Sequence, residues 1–70
     1  MPDLPISNCI RELRAANSDM TQLDLAKQIG VTRQTVNAIE LGKYSPSLEV
    51  AFRISAVFAE PLESVFSYHK

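Results

Sequence analysis

In the stretch GVTRQTVNAIELGK, residues 30–43, Arg33, Gln34, Asn37 and Ala38 are interspersed with Val36 and Ile39. At ~100° per residue the two aliphatic side chains fall on one side of a helix. Arg33, Gln34, Asn37 and Ala38 fall on the other, with Thr35 at the margin. A guanidinium fork can donate to O6 and N7 of one guanine edge, and an Asn or Gln amide can pair with N6 and N7 of adenine. Ala38 is small enough to let a groove floor approach or to touch a thymine methyl group. The first amides of such a helix have no partner within it and carry partial positive charge, which suits a phosphate. Just beyond, the Lys43 ammonium and the Tyr44 hydroxyl could each reach a phosphate oxygen. Taken alone, the same polar turn fits any solvated helix, Lys43 any wet surface, and Tyr44 ordinary packing. The neighbouring elements decide between these readings.

Those elements read as an all-α chain. Its two glycines, Gly30 and Gly42, both follow amphipathic segments, where a helix C′ residue belongs. No strand-like alternation and no Asn-Gly or Asp-Gly hairpin signal is present. The pattern predicts a first helix over Ser7–Ala16, capped by Ser7, with Ile10, Leu13, Cys9 and Ala16 inward. Asn17-Ser18-Asp19 makes the following turn. The second helix opens at Thr21, which can cap the amide of Asp24 while Asp24 reaches back, and Met20 and Leu25 have the spacing of a hydrophobic staple. Leu25, Ala26 and Ile29 share its inner face, and Gly30 ends it. Thr32 caps the third helix, which Gly42 stops near Leu41. Only Gly30, Val31 and Thr32 separate these two helices, so they must cross steeply, as in a helix-turn-helix over about residues 21–41. A fourth helix starts with Ser47 as cap or Pro46 as first residue, turning Ala51, Ile54, Ser55 and Phe58 inward. A short fifth follows Pro61, with Leu62, Val65 and Phe66 for burial, and residues 67–70 read as a frayed tail. The expected architecture is a compact bundle of about five short helices.

Composition bounds the function. Seventy residues make one domain, 1–70, near the lower size for independent folding. Hydrophobic residues are 46% of the chain, too many for a disordered polar segment, and a core this small favours dimerisation as a remedy. A net charge of −1 and a pI of about 5.7 argue against coating nucleic acid through bulk positive charge, but leave room for a local basic face. Cys9 is the only cysteine and His69 the only histidine. A disulfide within the chain and a cysteine-cluster zinc site are therefore excluded, and nothing pairs a nucleophile with a base. The acidic residues Glu12, Asp24, Glu49 and Glu63 are spread over several wet faces and form no metal cage. No enzyme, cofactor or metal is expected. The chain has no run of ~20 apolar residues for a membrane span. MPDLPISN lacks the form of a signal peptide, so a cytoplasmic location is the expectation.

TQLDLAKQIGVTRQTVNAIELGK, residues 21–43, resembles the signature of the Cro/CI-type (XRE) helix-turn-helix family, whose fold is lambda-repressor-like. The likeness continues through YSPSLEVAFRISAVFAEPLESVF, covering about Ile10 to Phe66, and is greatest to the family's minimal single-domain regulators. It rests on several independent spacings: T-Q at the start of the second helix, L-A, I-G, RQTVNAIE, G-K-Y and P-S. The resemblance implies that Arg33, Gln34, Asn37 and Ala38 face the bases. It places Thr21, Gln22, Thr32, Thr35, Lys43 and Tyr44 beside the DNA backbone, Gln22 as a phosphate-binding and helix-buttressing glutamine. It implies too that Arg14 and Glu40 form a structural ion pair. Departures are a longer turn at Asn17-Ser18-Asp19 without the common glycine and an apolar Leu23 on the outer side of the second helix. At the fourth-to-fifth helix corner, Ala59, Glu60 and Pro61 stand where glycine, an apolar residue and a Ser or Thr cap are usual.

The function implied is a sequence-specific, homodimeric transcriptional repressor on double-stranded operator DNA, with Val50, Val57, Leu62, Phe66 and Tyr68 as candidate dimer contacts. An antitoxin or a restriction-modification controller would have the same fold. A protein-interaction module that has lost DNA binding is a third possibility, motivated by the acidity and by exposed Leu23, Val50 and Phe52.

Overall fold

The computed structural model describes residues 5–69, so Lys70 of the expected frayed tail lies outside the described residues. Among the described residues five helices form: α1 (Ile10–Ala16), α2 (Gln22–Ile29), α3 (Arg33–Glu40), α4 (Leu48–Phe58) and α5 (Leu62–Val65). Local chemistry sets most of their ends. Thr21 accepts from the Asp24 N–H at 3.0 Å while Asp24 accepts from the Thr21 N–H at 3.1 Å, a complete capping box. Thr32 caps α3 and Ser47 caps α4 in the same manner, each accepting from the amide three residues on. Gly30 ends α2 with φ 76°, in the left-handed region open to glycine.

Two short strands, β1 (Ile6–Asn8) and β2 (Phe66–Tyr68), add an antiparallel ribbon that the sequence pattern does not predict. Ile6 pairs with Tyr68, Ser7 with Ser67, and Asn8 with Phe66. Ser67 and Tyr68 of the tail expected to fray are therefore tied to residues 6–8, and the His69 N–H continues the pairing to the Pro5 carbonyl. The ribbon also corrects the start of α1. Ser7 caps nothing; it lies in β1, and the helix begins only at Ile10. Cys9 holds the cap position without a side-chain bond, and Asn8 Oδ1 accepts from the Ile10 N–H at 3.1 Å instead. Ala16, expected inward, is exposed.

Ile10, Leu25, Ala26, Ile29, Val36, Ile39, Ile54 and Val65 form the core, with Leu13, Met20, Val31, Val50, Val57, Phe58 and Phe66 packed around it. Every helix contributes to that central cluster. Burying each of the larger aliphatic side chains contributes about 1.5–3 kcal/mol. Two long-range polar ties then hold the carbonyl ends of α2 and α3. Asn8 Nδ2 donates to the Ile39 carbonyl at 2.8 Å, and Arg53 Nη1 donates to the Ile29 carbonyl at 3.2 Å. After α4 the chain reverses at Ala59, a non-glycine residue with φ 53°, where the Glu60 N–H reaches the Ser55 carbonyl at 3.1 Å.

Candidate nucleic-acid interface

Val36 and Ile39 anchor α3 in the core at 1% and 2% exposure. Helical periodicity then leaves Arg33, Gln34 and Asn37 exposed, with Thr35 and Ala38 half-buried. At the helix start, Thr32 Oγ1 accepts from the Thr35 N–H at 3.1 Å, and the two threonine hydroxyls lie 3.0 Å apart. Gly42, at φ 74°, turns the chain away, and the Lys43 N–H closes the helix on the Ala38 carbonyl at 3.0 Å. Lys43 and Tyr44 are both exposed beyond that turn.

Side chains brace this helix from two others. Arg14, on α1, donates from Nε to Glu40 Oε2 at 2.6 Å and from Nη2 to Glu40 Oε1 at 3.0 Å. Its third bond runs from Nη1 to the Met20 carbonyl at 2.8 Å. The pair is largely out of solvent, at 15% exposure for the Arg14 side chain and 6% for Glu40. The hydrogen bond to Glu40 raises the Arg14 pKa, burial works against it, and the charge of Glu40 adds to the rise. Gln22, the first residue of α2, donates from Nε2 to Asn37 Oδ1 and to Glu40 Oε1, each at 3.1 Å. Both protons of its amide are thereby used.

Around the start of α2, Thr21, Gln22 and Leu23 share an open depression with Arg14, Asp19, Met20 and Arg33. The structure thus brings Thr21, Gln22 and Arg33 to one place, with the unpaired first amides of α2 beside them. Asp24 lies in the same turn. Its carboxyl is held below the ordinary range, first by the Thr21 backbone N–H and then by the Thr21 hydroxyl, with a smaller contribution from Lys27.

The residues named as dimer contacts divide. Val50, Val57 and Phe66 are half-buried against the chain's own core, and Leu62 is half-buried, while Tyr68 stays 68% exposed. Leu62, Phe66 and Tyr68 line one shallow groove together with Ile6, and Leu48 at 67% exposure flanks it. Cys9 and His69 do not meet: the Cys9 thiol donates to the Ser64 carbonyl at 3.1 Å, and His69 Nε2 lies 2.7 Å from Ser7 Oγ. Among the described residues no group of His, Cys, Asp and Glu could hold a metal ion, and no helix is long and apolar enough to cross a membrane.

Sequence reasoning missed the Asn8 tie to α3 and the direct contact of Gln22 with Asn37. An Asn just before a helix is a capping signal in its own right. The Gln22–Asn37 contact spans 15 residues and has no local signature.

A helix-turn-helix family model matches residues 10–65. An uncharacterized HTH-type transcriptional regulator of Methanocaldococcus jannaschii is 48% identical over 63 residues, covering 90% of this chain and 94% of that protein. The HTH-type transcriptional regulator YgzD of Bacillus subtilis, also uncharacterized, is 46% identical over 61 residues, covering 87% and 91%. A candidate DNA-binding protein of Bacteroides fragilis, known from its crystal structure, superposes with a TM-score of 0.75 at 21% identity, over 89% of this chain and 98% of that one. At that identity the likeness is one of fold.

Proposed function

We propose that this chain, which belongs to the XRE-type helix-turn-helix family, is a sequence-specific DNA-binding transcriptional regulator acting as a homodimeric repressor. One observation carries the reading: α3 exposes Arg33, Gln34 and Asn37 on a helix whose opposite face is locked into the core. Entered into a major groove, that face offers a guanidinium fork and two amides to base edges, with Ala38 close to the groove floor. Phosphates would be met by the free amides at the start of α2, by the Thr21, Thr32 and Thr35 hydroxyls, by Lys43 and by Tyr44. Because both amide protons of Gln22 are spent within the protein, its phosphate contact falls to its backbone N–H. This is a binding protein of the cytoplasm and not an enzyme, and residues 1–70 act as one unit.

Two copies would read half-sites roughly one helical turn, ~34 Å, apart. The groove of Ile6, Leu62, Phe66 and Tyr68 supports pairing through that face, since a small domain gains from covering it. Occupied operator DNA is closed to other proteins, which is how binding represses.

Selection from random duplexes, followed by affinity measured across salt concentrations, tests the reading. An enriched two-fold-symmetric motif whose affinity falls steeply with salt is expected. No enriched motif and no salt dependence would instead favour a protein-interaction module built on this fold.

A further inference from the structure

We propose that the Asn8 side-chain amide is the joint between the pairing face and the reading helix, and so fixes which half-site spacing a dimer accepts. This rests on the DNA-binding and pairing reading above and names the positioning residue that links its two parts.

The β1–β2 ribbon supplies Ile6, Phe66 and Tyr68 to the groove through which two copies would pair. The same ribbon carries Asn8, which stands opposite Phe66 in the pairing register. From there the Asn8 amide works in two directions. Its Oδ1 accepts from the Ile10 N–H at 3.1 Å, at the start of α1, and its Nδ2 donates to the Ile39 carbonyl at 2.8 Å, in the last turn of α3. These two partners fix the orientation of the amide, because an N–H only donates and a carbonyl only accepts. The Ile39 carbonyl is one of those that a helix leaves without a partner of its own, and it also takes the Gly42 N–H at 3.0 Å. Both of its lone pairs are thereby used. Beyond the shared core, an open cleft separates the ribbon from the end of α3, with Ser7 and His69 on one wall and Glu40, Leu41 and Gly42 on the other. Among the described residues the Asn8 bond is the one hydrogen bond that crosses it. The Arg14–Glu40 pair ties the same turn of α3 to α1, not to the ribbon. The angle of α3 to the pairing face is therefore set at this turn by Asn8. In a dimer that angle enters twice, once in each copy, and both reading helices must meet their grooves together. An altered angle leaves one helix able to bind and removes the simultaneous engagement of two.

Asn8→Asp tests this. One carboxylate oxygen still accepts from the Ile10 N–H, while the other faces the Ile39 carbonyl with no proton to give. Selection from random duplexes first yields the wild-type motif, and binding is then measured on a duplex with both half-sites and on one with a single half-site. The variant should keep the half-site affinity, the base preference and the monomer–dimer equilibrium read by sedimentation. Its affinity for the two-half-site duplex should fall roughly tenfold, because avidity is lost when geometry prevents joint engagement. Selection with randomised spacers between the half-sites should move from one spacing to a neighbouring or broader set. A loss shared equally by the two duplexes would overturn the proposal, since Asn8 would then act on α3 alone. So would a weaker dimer in sedimentation, which would assign Asn8 to the pairing face, or an unchanged affinity and spacing on the two-half-site duplex. In those cases an enriched two-fold-symmetric motif leaves DNA binding and pairing standing. A wild-type protein that enriches only a single half-site overturns the pairing reading and this inference together, and one that enriches no motif overturns the DNA-binding reading as well. Should Asn8→Asp fail to fold, Asn8→Ser, which can bond the Ile10 N–H but does not reach Ile39, takes its place in every measurement.

Discussion

Replacing Arg14 with methionine removes a charge but keeps most of the side-chain volume, and it isolates what the Arg14–Glu40 pair does. Glu40 has 6% side-chain exposure, so without its partner a carboxylate is stranded in a poorly solvated place. Breaking a buried pair from one side costs about 3–5 kcal/mol. The Met20 carbonyl loses its donor at the same time, which places the expected loss within that range rather than below it. A 70-residue domain has only about 4–10 kcal/mol of stability, so the variant should be close to unfolding at room temperature. In thermal melts of a chain this size, each kcal/mol shifts the midpoint by about 4–8 °C, giving a fall of about 12 °C or more. The decisive comparison is with Arg14→Met/Glu40→Met. With both charges gone no buried ion remains, and at least half of the lost stability should return in urea titrations. A single-variant loss under about 1 kcal/mol would show that the pair behaves as an ordinary surface ion pair, and would refute this reasoning. A double variant no better than the single would refute it as well.

Ala59→Gly should stabilise the chain by about 0.5–1 kcal/mol in the same titrations, because φ 53° costs alanine about 1–2 kcal/mol and glycine's added unfolded-state freedom offsets only part of the gain. Asp24 titrates below its ordinary value of 3.8 in the folded chain, so its stabilising contribution is present above that value and lost as pH falls through the lower, folded one. Asp24→Asn should therefore flatten that acid limb of the stability–pH curve, measured by chemical denaturation at stepped pH. Arg33→Ala should weaken binding to a selected duplex by about 1–3 kcal/mol and relax base choice at one position, read by competition titration.

How much of this was legible in the sequence depended on the range of the interactions. The caps Thr21, Thr32 and Ser47, the stop at Gly30 and the inward faces of α2 and α3 are local, and each follows from residues within a turn or two. The β1–β2 ribbon was not legible, because three-residue strands are too short to show alternation and lie at opposite ends of the chain. Ser7 was misread for the same reason: a serine ahead of an apolar run is a capping signal, but pairing with Ser67 competes for that segment and wins. Of the candidate interface, the exposed face of α3 could be projected from helical period alone. Only the crossing of α2 over α3 brings Gln22 to Asn37, and no local pattern encodes that contact.

The outer face of α3, with the start of α2, is the surface proposed to read DNA. Backbone amide shifts of the labelled protein, followed as a selected duplex is titrated in, test it most directly. The largest changes should fall on Thr21, Gln22, residues 32–38, Lys43 and Tyr44. Changes confined to β1, β2 and α5, or an unaltered spectrum, would contradict it.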